Sequence, residues 1–565
     1  MRARQYSIGV DYGTNSCRAL LVDVATGREV AASVFPYPRG EAGIILDKRD
    51  PNVARQAPGD YIAGFLTTVH NVVAEAKKKE AGFDPENVVG IGIDTTGSTV
   101  IPVNEDGVPL GMLKKFEKNP AAQAWLWKDH TAWEEAALIT EAARKADAPY
   151  LKKCGGVYSS EWFWSKIWHC ERTAPEVFDA AASWVEACDF IPAFITGHLS
   201  PKTLSRSVCA AGHKALYGAA WGGLPEKNFL KKLSPGLASL RDRLYTPEQV
   251  KASDQIAGFL DAEVASAVGL PQGVPVAVGA FDAHHGAVGA GIGAGRLVKI
   301  MGTSTCDMMV APQKGLKEIP GICGMVPGSI LPGMVGLEAG QSAVGDIFLW
   351  FARHVATAEF RGKSDGETID NLCNAGKKFP PGHAGLLALD WHNGNRTVLV
   401  DPLLSGMMLG QTLHTTSDEQ FRAIMEATVF GGLKIIRRFE EYGVKVNDIV
   451  ATGGLAEKMP VFMQMYADIC NRPMKVSNSK QTCALGAALF GAVAGGAYPN
   501  AEAAQKKMSA KISRTYTPNK EAAKVYAELY ALYETLHDAF GGKGGDVSKV
   551  MKKLIALRRK AREDK

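Results

Sequence analysis

The feature that most constrains this chain is a pattern that occurs twice. A buried-type strand over 6–11 runs into Gly13-Thr14-Asn15, and a strand over 17–23 returns. Far downstream, a strand over 297–301 runs into Gly302-Thr303-Ser304-Thr305, and a strand over 306–310 returns. The copies sit 289 positions apart, near the starts of the two halves of the chain. A repeat at that spacing argues for an internally duplicated βββαβα-like unit. At 565 residues the chain also exceeds what one hydrophobic core supports. The expectation is an α/β protein of two domains, 1–290 and 291–545, joined near 286–296 and followed by a basic tail over 546–565.

Other segments fit that plan. Apolar runs over 88–94, 274–281 and 448–452 read as buried strands, and the first leads through Thr95-Thr96-Gly97-Ser98 into a strand ending at Val103. Asn104-Glu105-Asp106-Gly107 is a hairpin signal. Periodicity predicts helices over 423–442, 460–470 and 484–494. Tyr526, Leu529, Tyr533, Leu536 and Phe540 fall on one face of a C-terminal helix that packs on the domain. Residues 120–200, with tryptophans from Trp125 to Trp168, read as a helical, aromatic-rich insertion, either walling a small-ligand cleft or packing on itself.

Composition excludes several classes. A net charge of +5 on a chain this long indicates no nucleic-acid partner, and the basic run 552–565 reads as a solvated helical tail. No apolar run reaches the ~20 residues of a membrane span. The basic N-terminus lacks the apolar stretch of a signal peptide. Ten scattered cysteines without paired spacing fit a reducing, cytoplasmic setting. The sequon at Asn395 is read as chance.

Four constellations carry chemistry. In the first, Gly13 lets backbone amides approach phosphate oxygens, Thr14 and Asn15 add donors, and Arg18 adds charge. Asp11, ending the preceding strand, is placed to hold Mg²⁺. The second is the Gly302-Thr303 copy, which would grip the same nucleotide from across a cleft. The third is Gly453-Gly454 followed by Glu457-Lys458, a strand-to-helix turn that admits a flat adenine or ribose. The fourth is Asp282, where an apolar strand ends. In phosphoryl transfer a carboxylate there accepts the proton of the attacking hydroxyl, although an Asp at such a place is also a favoured helix cap. His284 and His285 are adjacent with no third ligand at a metal-site spacing, so a metal site there is rejected. Gly289, Gly291 and Ala294 imitate a dinucleotide fingerprint. The next strand runs straight into the Gly302 turn, so nicotinamide and flavin are rejected as well.

Together these residues resemble the FGGY family of carbohydrate kinases, on the two-domain actin-like ATPase (ribonuclease H-like) fold, over roughly 6–540. Stretches at 126–132, 211–214, 281–284 and 338–346 look like the branch that phosphorylates ribulose. The Lys128-Asp129-His130-Thr131 segment lacks the arginine of the glycerol and xylulose branches. The resemblance implies an ATP- and Mg²⁺-dependent kinase of a small ketopentose. L-ribulose is favoured and D-ribulose also possible, giving ribulose 5-phosphate in arabinose catabolism. Composition gives no membrane or nucleic-acid partner, and a homodimer stays open. Gly13, Thr14, Asn15, Arg18, Gly302 and Thr303 would meet the phosphates. Gly345, Gly453, Gly454 and Lys458 would line the nucleotide, and Asp11 would approach Mg²⁺. Gly97, Trp127, Asp129, Lys214, Asp282 and Glu338 would surround the sugar, with Asp282 as base. Two alternatives stay open: a family kinase for another ketose or polyol such as xylulose, and an actin- or chaperone-like ATPase with no sugar pocket.

Overall fold

In the computed structural model, which describes residues 4–563, the repeat is one of topology as well as sequence. Strands β1 (Tyr6–Tyr12), β2 (Ser16–Asp23) and β3 (Glu29–Pro36) form an antiparallel meander. Strand β4 (Val88–Thr95) lies parallel beside β1. Strand β5 (Ile256–Phe259) runs antiparallel at the edge, against β6 (Pro275–Ala277), which is parallel to β4. The second half repeats this arrangement, except that its antiparallel edge strand follows its neighbour in the chain where β5 precedes β6. Strands β7 (Arg296–Met301), β8 (Thr305–Ala311) and β9 (Val335–Ala339) form the meander. Strands β10 (Asp448–Thr452) and β11 (Met474–Ser477) add in parallel, and β12 (Ile512–Tyr516) closes the edge antiparallel. The first sheet therefore reads 3-2-1-4-6-5 and the second 9-8-7-10-11-12, extended beyond β9 by Gly324–Pro327.

Helix Thr482–Ala494 belongs to the second half of the chain but lies on the first sheet. Glycines make this possible. A Cβ on Gly9, Gly90 or Gly92 would fall 1.8–1.9 Å from the carbonyl oxygen of Ala484, Gly491 or Ala487. Backbone thus packs directly on backbone, and small apolar residues from both halves share one core around Ala484, Ala488 and Val298. Helix Asp282–Gly289 packs on the same helix, where a Cβ on Gly289 would lie 2.1 Å from the Thr482 carbonyl oxygen. We expect Gly92→Val to lower stability by about 3 kcal/mol, because neither sheet nor helix backbone can yield. Urea unfolding should show an earlier midpoint at an unchanged slope.

Several expectations change in detail. The strand foreseen over 274–281 is two short pieces, Pro275–Ala277 and Ala280–Phe281, both alongside β4. Between them Val278 leaves the ladder and donates its N–H to the Gln255 carbonyl. The 120–200 insertion is not all helical. Ala124–Trp125 and Ser183–Glu186 join a separate five-stranded sheet with Ile45–Leu46, Ala54–Gln56 and Val100–Val103. Most of its tryptophans are core: Trp125, Trp162, Trp164 and Trp184 are buried together, which supports self-packing over a cleft wall. Trp127 alone of the W-K-D segment's aromatics stays half-buried.

The C-terminal helix, Lys520–Asp538, buries Tyr526 and Tyr533 as foreseen, with Leu529, Leu536 and, just past its end, Phe540 partly covered, and it buries Tyr530 as well. The tail forms helix Val550–Glu563, docked by buried Met551 and a Lys552–Asp401 ion pair at 2.5 Å. Residues 1–3, part of the basic N-terminus, and 564–565, part of the basic run, lie outside the described residues. All ten cysteines are free thiols. Asn395 and Thr397 of the sequon are buried. No described helix is long and apolar enough to cross a membrane.

Candidate active site

The two Gly-Thr turns are close copies but not equal ones. Tyr12 pairs with Cys17 across the first, and Met301 with Thr305 across the second, so the second is one residue tighter. Each opens with the same bond. The Gly13 N–H donates to the Ser16 carbonyl at 3.0 Å, and the Gly302 N–H to the Ser304 carbonyl at 2.9 Å. The glycine amides hold the turns and are not themselves free. Among the described residues, the next two amides of each turn, Thr14 and Asn15, Thr303 and Ser304, donate to no protein acceptor. Pairs of unused N–H groups on a tight turn are what an anionic oxygen requires.

Behind the second turn three glycines meet. The N–H of Gly345, which opens helix Gly345–His354, donates to the Gly302 carbonyl at 3.2 Å. A Cβ there would lie 2.6 Å from that same oxygen. Gly453, at φ 96°, sits where a Cβ would come within 2.5 Å of the Met301 carbonyl oxygen, and its left-handed backbone favours glycine independently. Gly302, Gly345 and Gly453 are therefore brought together, with Gly454 exposed beside them. Lys458 is exposed at the end of the short helix Gly454–Lys458.

At the first turn, parallel pairing of β1 with β4 sets Asp11 beside Asp94, and antiparallel pairing with β2 sets Arg18 across from Asp11, 3.7 Å away. Burial raises the Asp11 carboxyl against the pull of Arg18. Asp94 is fully buried, neither of its oxygens has a hydrogen-bond partner, and burial, then Asp11 and Asp282, push its carboxyl far up. Asp282, half-buried at the first turn of helix Asp282–Gly289, accepts the Ala283 N–H at 2.6 Å. Burial first, and the charge of Asp11 second, push it up to about 7. The N-cap position is Phe281, which makes no side-chain cap, and Asp282 is the first helical residue. Asp94 was missed in the sequence. It ends an apolar strand before a Thr-Thr-Gly turn, as Asp11 ends its strand before Gly-Thr, and that parallel was the available signal.

Glu338, on β9, is met by residues from the other half. Lys214 contacts its two oxygens at 3.3 and 3.4 Å, and His213 Nδ1 lies 3.2 Å from Oε2. Burial raises the Glu338 carboxyl, yet Lys214 and then the imidazoles of His213 and His284 hold it well below the usual range. Burial works against the Lys214 ammonium, and Glu338 outweighs it, leaving Lys214 above its ordinary value. The ammonium also faces the rings of Trp162 and Phe281 at 5.2 and 5.6 Å. A second pair, Arg396–Glu161 at 3.6 Å, crosses between the halves nearby. The charges of Asp11, Glu338 and Lys214 all reach Asp282. The acids of the first turn and this charged pair thus both act on it.

Trp127 turns its indole N–H to the Thr14 hydroxyl at 3.1 Å, tying the W-K-D segment to the first clamp. Gly97 lies against Phe281, where a Cβ would overlap the ring at 2.0 Å. The loop after it is held by a buried pair missed in the sequence. Lys166 donates to the carbonyls of Ser98 and Leu126 at 2.9 Å, and Glu186 accepts the Thr99 N–H at 2.8 Å. Asp129 departs from expectation. It is fully enclosed, its oxygens taken by Arg55, the Ala54 N–H and the N–H and hydroxyl of Thr131. It braces the Trp127 segment and presents no free oxygen to a ligand. His284 and His285 face apart, His284 toward His213 and Glu338, His285 toward Asp94 and Ser253.

The sequence matches two profiles of the FGGY family of carbohydrate kinases, the N-terminal domain over 6–289 and the C-terminal domain over 297–495. A ribulokinase of Vibrio parahaemolyticus serotype O3:K6 is 41% identical, covering 94% of this chain and 95% of that one. A ribulokinase of Halalkalibacterium halodurans is 41% identical, with 98% of each covered. Among solved structures, a xylulose kinase from Rhodospirillum rubrum superposes with a TM-score of 0.77 at 22% identity, over 95% of this chain and 99% of that one. A Plasmodium falciparum glycerol kinase with ADP superposes at 0.73 and 16%, over 94% and 98%. These structures share the two-domain actin-like fold.

Proposed function

The chain belongs to the FGGY family of carbohydrate kinases and is a phosphotransferase, and from that premise we propose that its acceptor is ribulose. The terminal hydroxyl receives the γ-phosphoryl group of ATP, with Mg²⁺, to give ribulose 5-phosphate. L-ribulose is preferred to D-ribulose, and the reaction serves arabinose catabolism in the cytoplasm. The relatives at 41% identity are ribulokinases, and the ten free thiols suit a reducing compartment. In this reading 1–290 carries the sugar and 291–545 the nucleotide.

The observation that carries the reading is that the acids of the first clamp and the Lys214–Glu338 pair both act on Asp282. Asp11 and Asp94 are buried and Asp282 is half-buried; burial and then the charge of Asp11 raise the carboxyls of Asp94 and Asp282, and the guanidinium of Arg18 lies 3.7 Å from Asp11. That deficit of positive charge, with two orphaned Asp94 oxygens, suits a divalent cation. The free amides of the two turns suit the phosphates it accompanies. Bound MgATP supplies the transferable phosphoryl group and neutralises charge on it.

The chain's own residues do the rest. The amides of Thr14, Asn15, Thr303 and Ser304, with Arg18, hold phosphate oxygens from both halves. Gly345, Gly453, Gly454 and Lys458 border the adenosine. Lys214 and Glu338 orient the sugar's hydroxyls and carbonyl, Trp127 offers it an apolar plate, and Gly97 lets it approach the backbone. Asp282 takes the proton of the attacking hydroxyl onto its carboxylate. Approach of the halves excludes water, the competing nucleophile.

The substrate panel is direct. ADP release should be fastest per unit KM with L-ribulose, then D-ribulose, ahead of L-xylulose, D-xylulose, ribitol and glycerol. A higher kcat/KM for either xylulose or for glycerol would overturn the ribulose assignment. ADP release indifferent to every sugar would favour an ATPase.

A further inference from the structure

Beside the sugar-side pair lie Cys209, His213 and His284, to which the kinase reading gives no role. Cys209 and His213 occupy positions i and i+4 of helix Val208–Lys214 and so share a face. His284 comes from helix Asp282–Gly289. One ligand atom from each of the three lies within 4.8 Å of the others, and all three side chains are buried. Glu338, from the other half, adds Oε2 at 3.2 Å from His213 Nδ1 and 3.9 Å from His284 Nε2. The absent third ligand that argued against a metal at His284 is thus supplied in space, from residues distant in sequence.

Hydrogen bonding leaves this cluster short of a positive charge. Ser329 Oγ donates to the Val326 carbonyl at 3.0 Å, so it can only accept from His213 Nε2, 3.1 Å away. That fixes the proton of a neutral His213 on Nε2 and leaves Nδ1 a bare acceptor. Its neighbour is a carboxylate oxygen, another acceptor, and two lone pairs do not share 3.2 Å without a cation between them. His213 Nδ1 and both nitrogens of His284 lack any hydrogen-bond partner despite burial. Gly324 stands opposite Nδ1, where any side chain would crowd it. The Ser329 bond to the far nitrogen is also the kind of outer contact that orients a ligating histidine.

We propose that Cys209, His213, His284 and Glu338 form a site for one divalent cation of the Zn²⁺ class, bridging the two halves of the chain. One thiolate, two imidazoles and one carboxylate make a four-coordinate set for Zn²⁺ or Co²⁺, and they are a poor set for Mg²⁺. Binding converts the Cys209 thiol to a metal-bound thiolate and releases one proton, so affinity rises with pH. Lys214 remains on Glu338 Oε1, and the cation takes Oε2. The proposal is independent of which sugar is phosphorylated.

The test uses the full chain after chelator dialysis, titrated with Co²⁺. The expected result is one Co²⁺ per chain, with intense visible bands of four-coordinate cobalt and a near-ultraviolet thiolate-to-metal band. Cys209→Ser should abolish the thiolate band and weaken binding by about tenfold or more. His284→Gln should weaken it as well while retaining the thiolate band, which covers the case where one variant does not fold. Zn²⁺ should raise the melting temperature of the parent and not of these variants. No stoichiometric Co²⁺ binding, a weak six-coordinate spectrum, or a thiolate band that survives Cys209→Ser would overturn the site.

Discussion

Asp282→Asn should lower kcat with ribulose by about 10³-fold, within the 10²–10⁴ that a positioned base contributes, while ATP binding stays near the parent value. The amide keeps the size of the carboxyl and its contact with the Ala283 N–H, so the helix start survives. What it loses is the ability to take a proton. Burial and Asp11 already hold Asp282 up to about 7, which is where a base is effective near neutral pH. The variant also removes one of three crowded acids, so its stability should not fall. Equilibrium ATP binding and single-turnover phosphoryl transfer separate the two effects. Turnover within a few-fold of the parent would remove Asp282 from the role of base.

Lys214→Met is the second large effect. The ammonium is buried against both oxygens of Glu338, with ring faces beside it. Methionine keeps the stem and deletes the charge, so Glu338 loses the ammonium that contacts both its oxygens. Removing one partner of such a pair costs about 3–5 kcal/mol. Part of this should appear as a lower melting temperature, and the larger part as a loss of about 10²–10³ in kcat/KM for the sugar. The KM for ATP should move little, because the nucleotide is held by the glycine turns. A variant that binds sugar normally would mean that the Lys214–Glu338 pair only fastens the halves.

Much of this was legible in the sequence because it is local. The twin turns, the strands that frame them and the helices over 460–470 and 484–494 follow from short patterns. Pairings between distant segments were not legible. Asp94 becomes a neighbour of Asp11 only through parallel pairing of β4 with β1. Asp129 stands as a sugar ligand only by family resemblance. Only the fold shows that Arg55, Ala54 and Thr131 claim it. His284 had no visible metal partner because Cys209, His213 and Glu338 lie 75, 71 and 54 positions away in the chain.

The measurement that bears most directly on the account is the pH dependence of kcat/KM for L-ribulose, in the parent and in Asp282→Asn. The active form of Asp282 is the carboxylate, so the rate is full above its pKa and is lost as pH falls through about 7. The parent should therefore lose about tenfold per pH unit on the acid side, and the variant should be slow and flat over the same range. A parent profile level down to pH 5.5, or an acid limb that persists in Asp282→Asn, would contradict it.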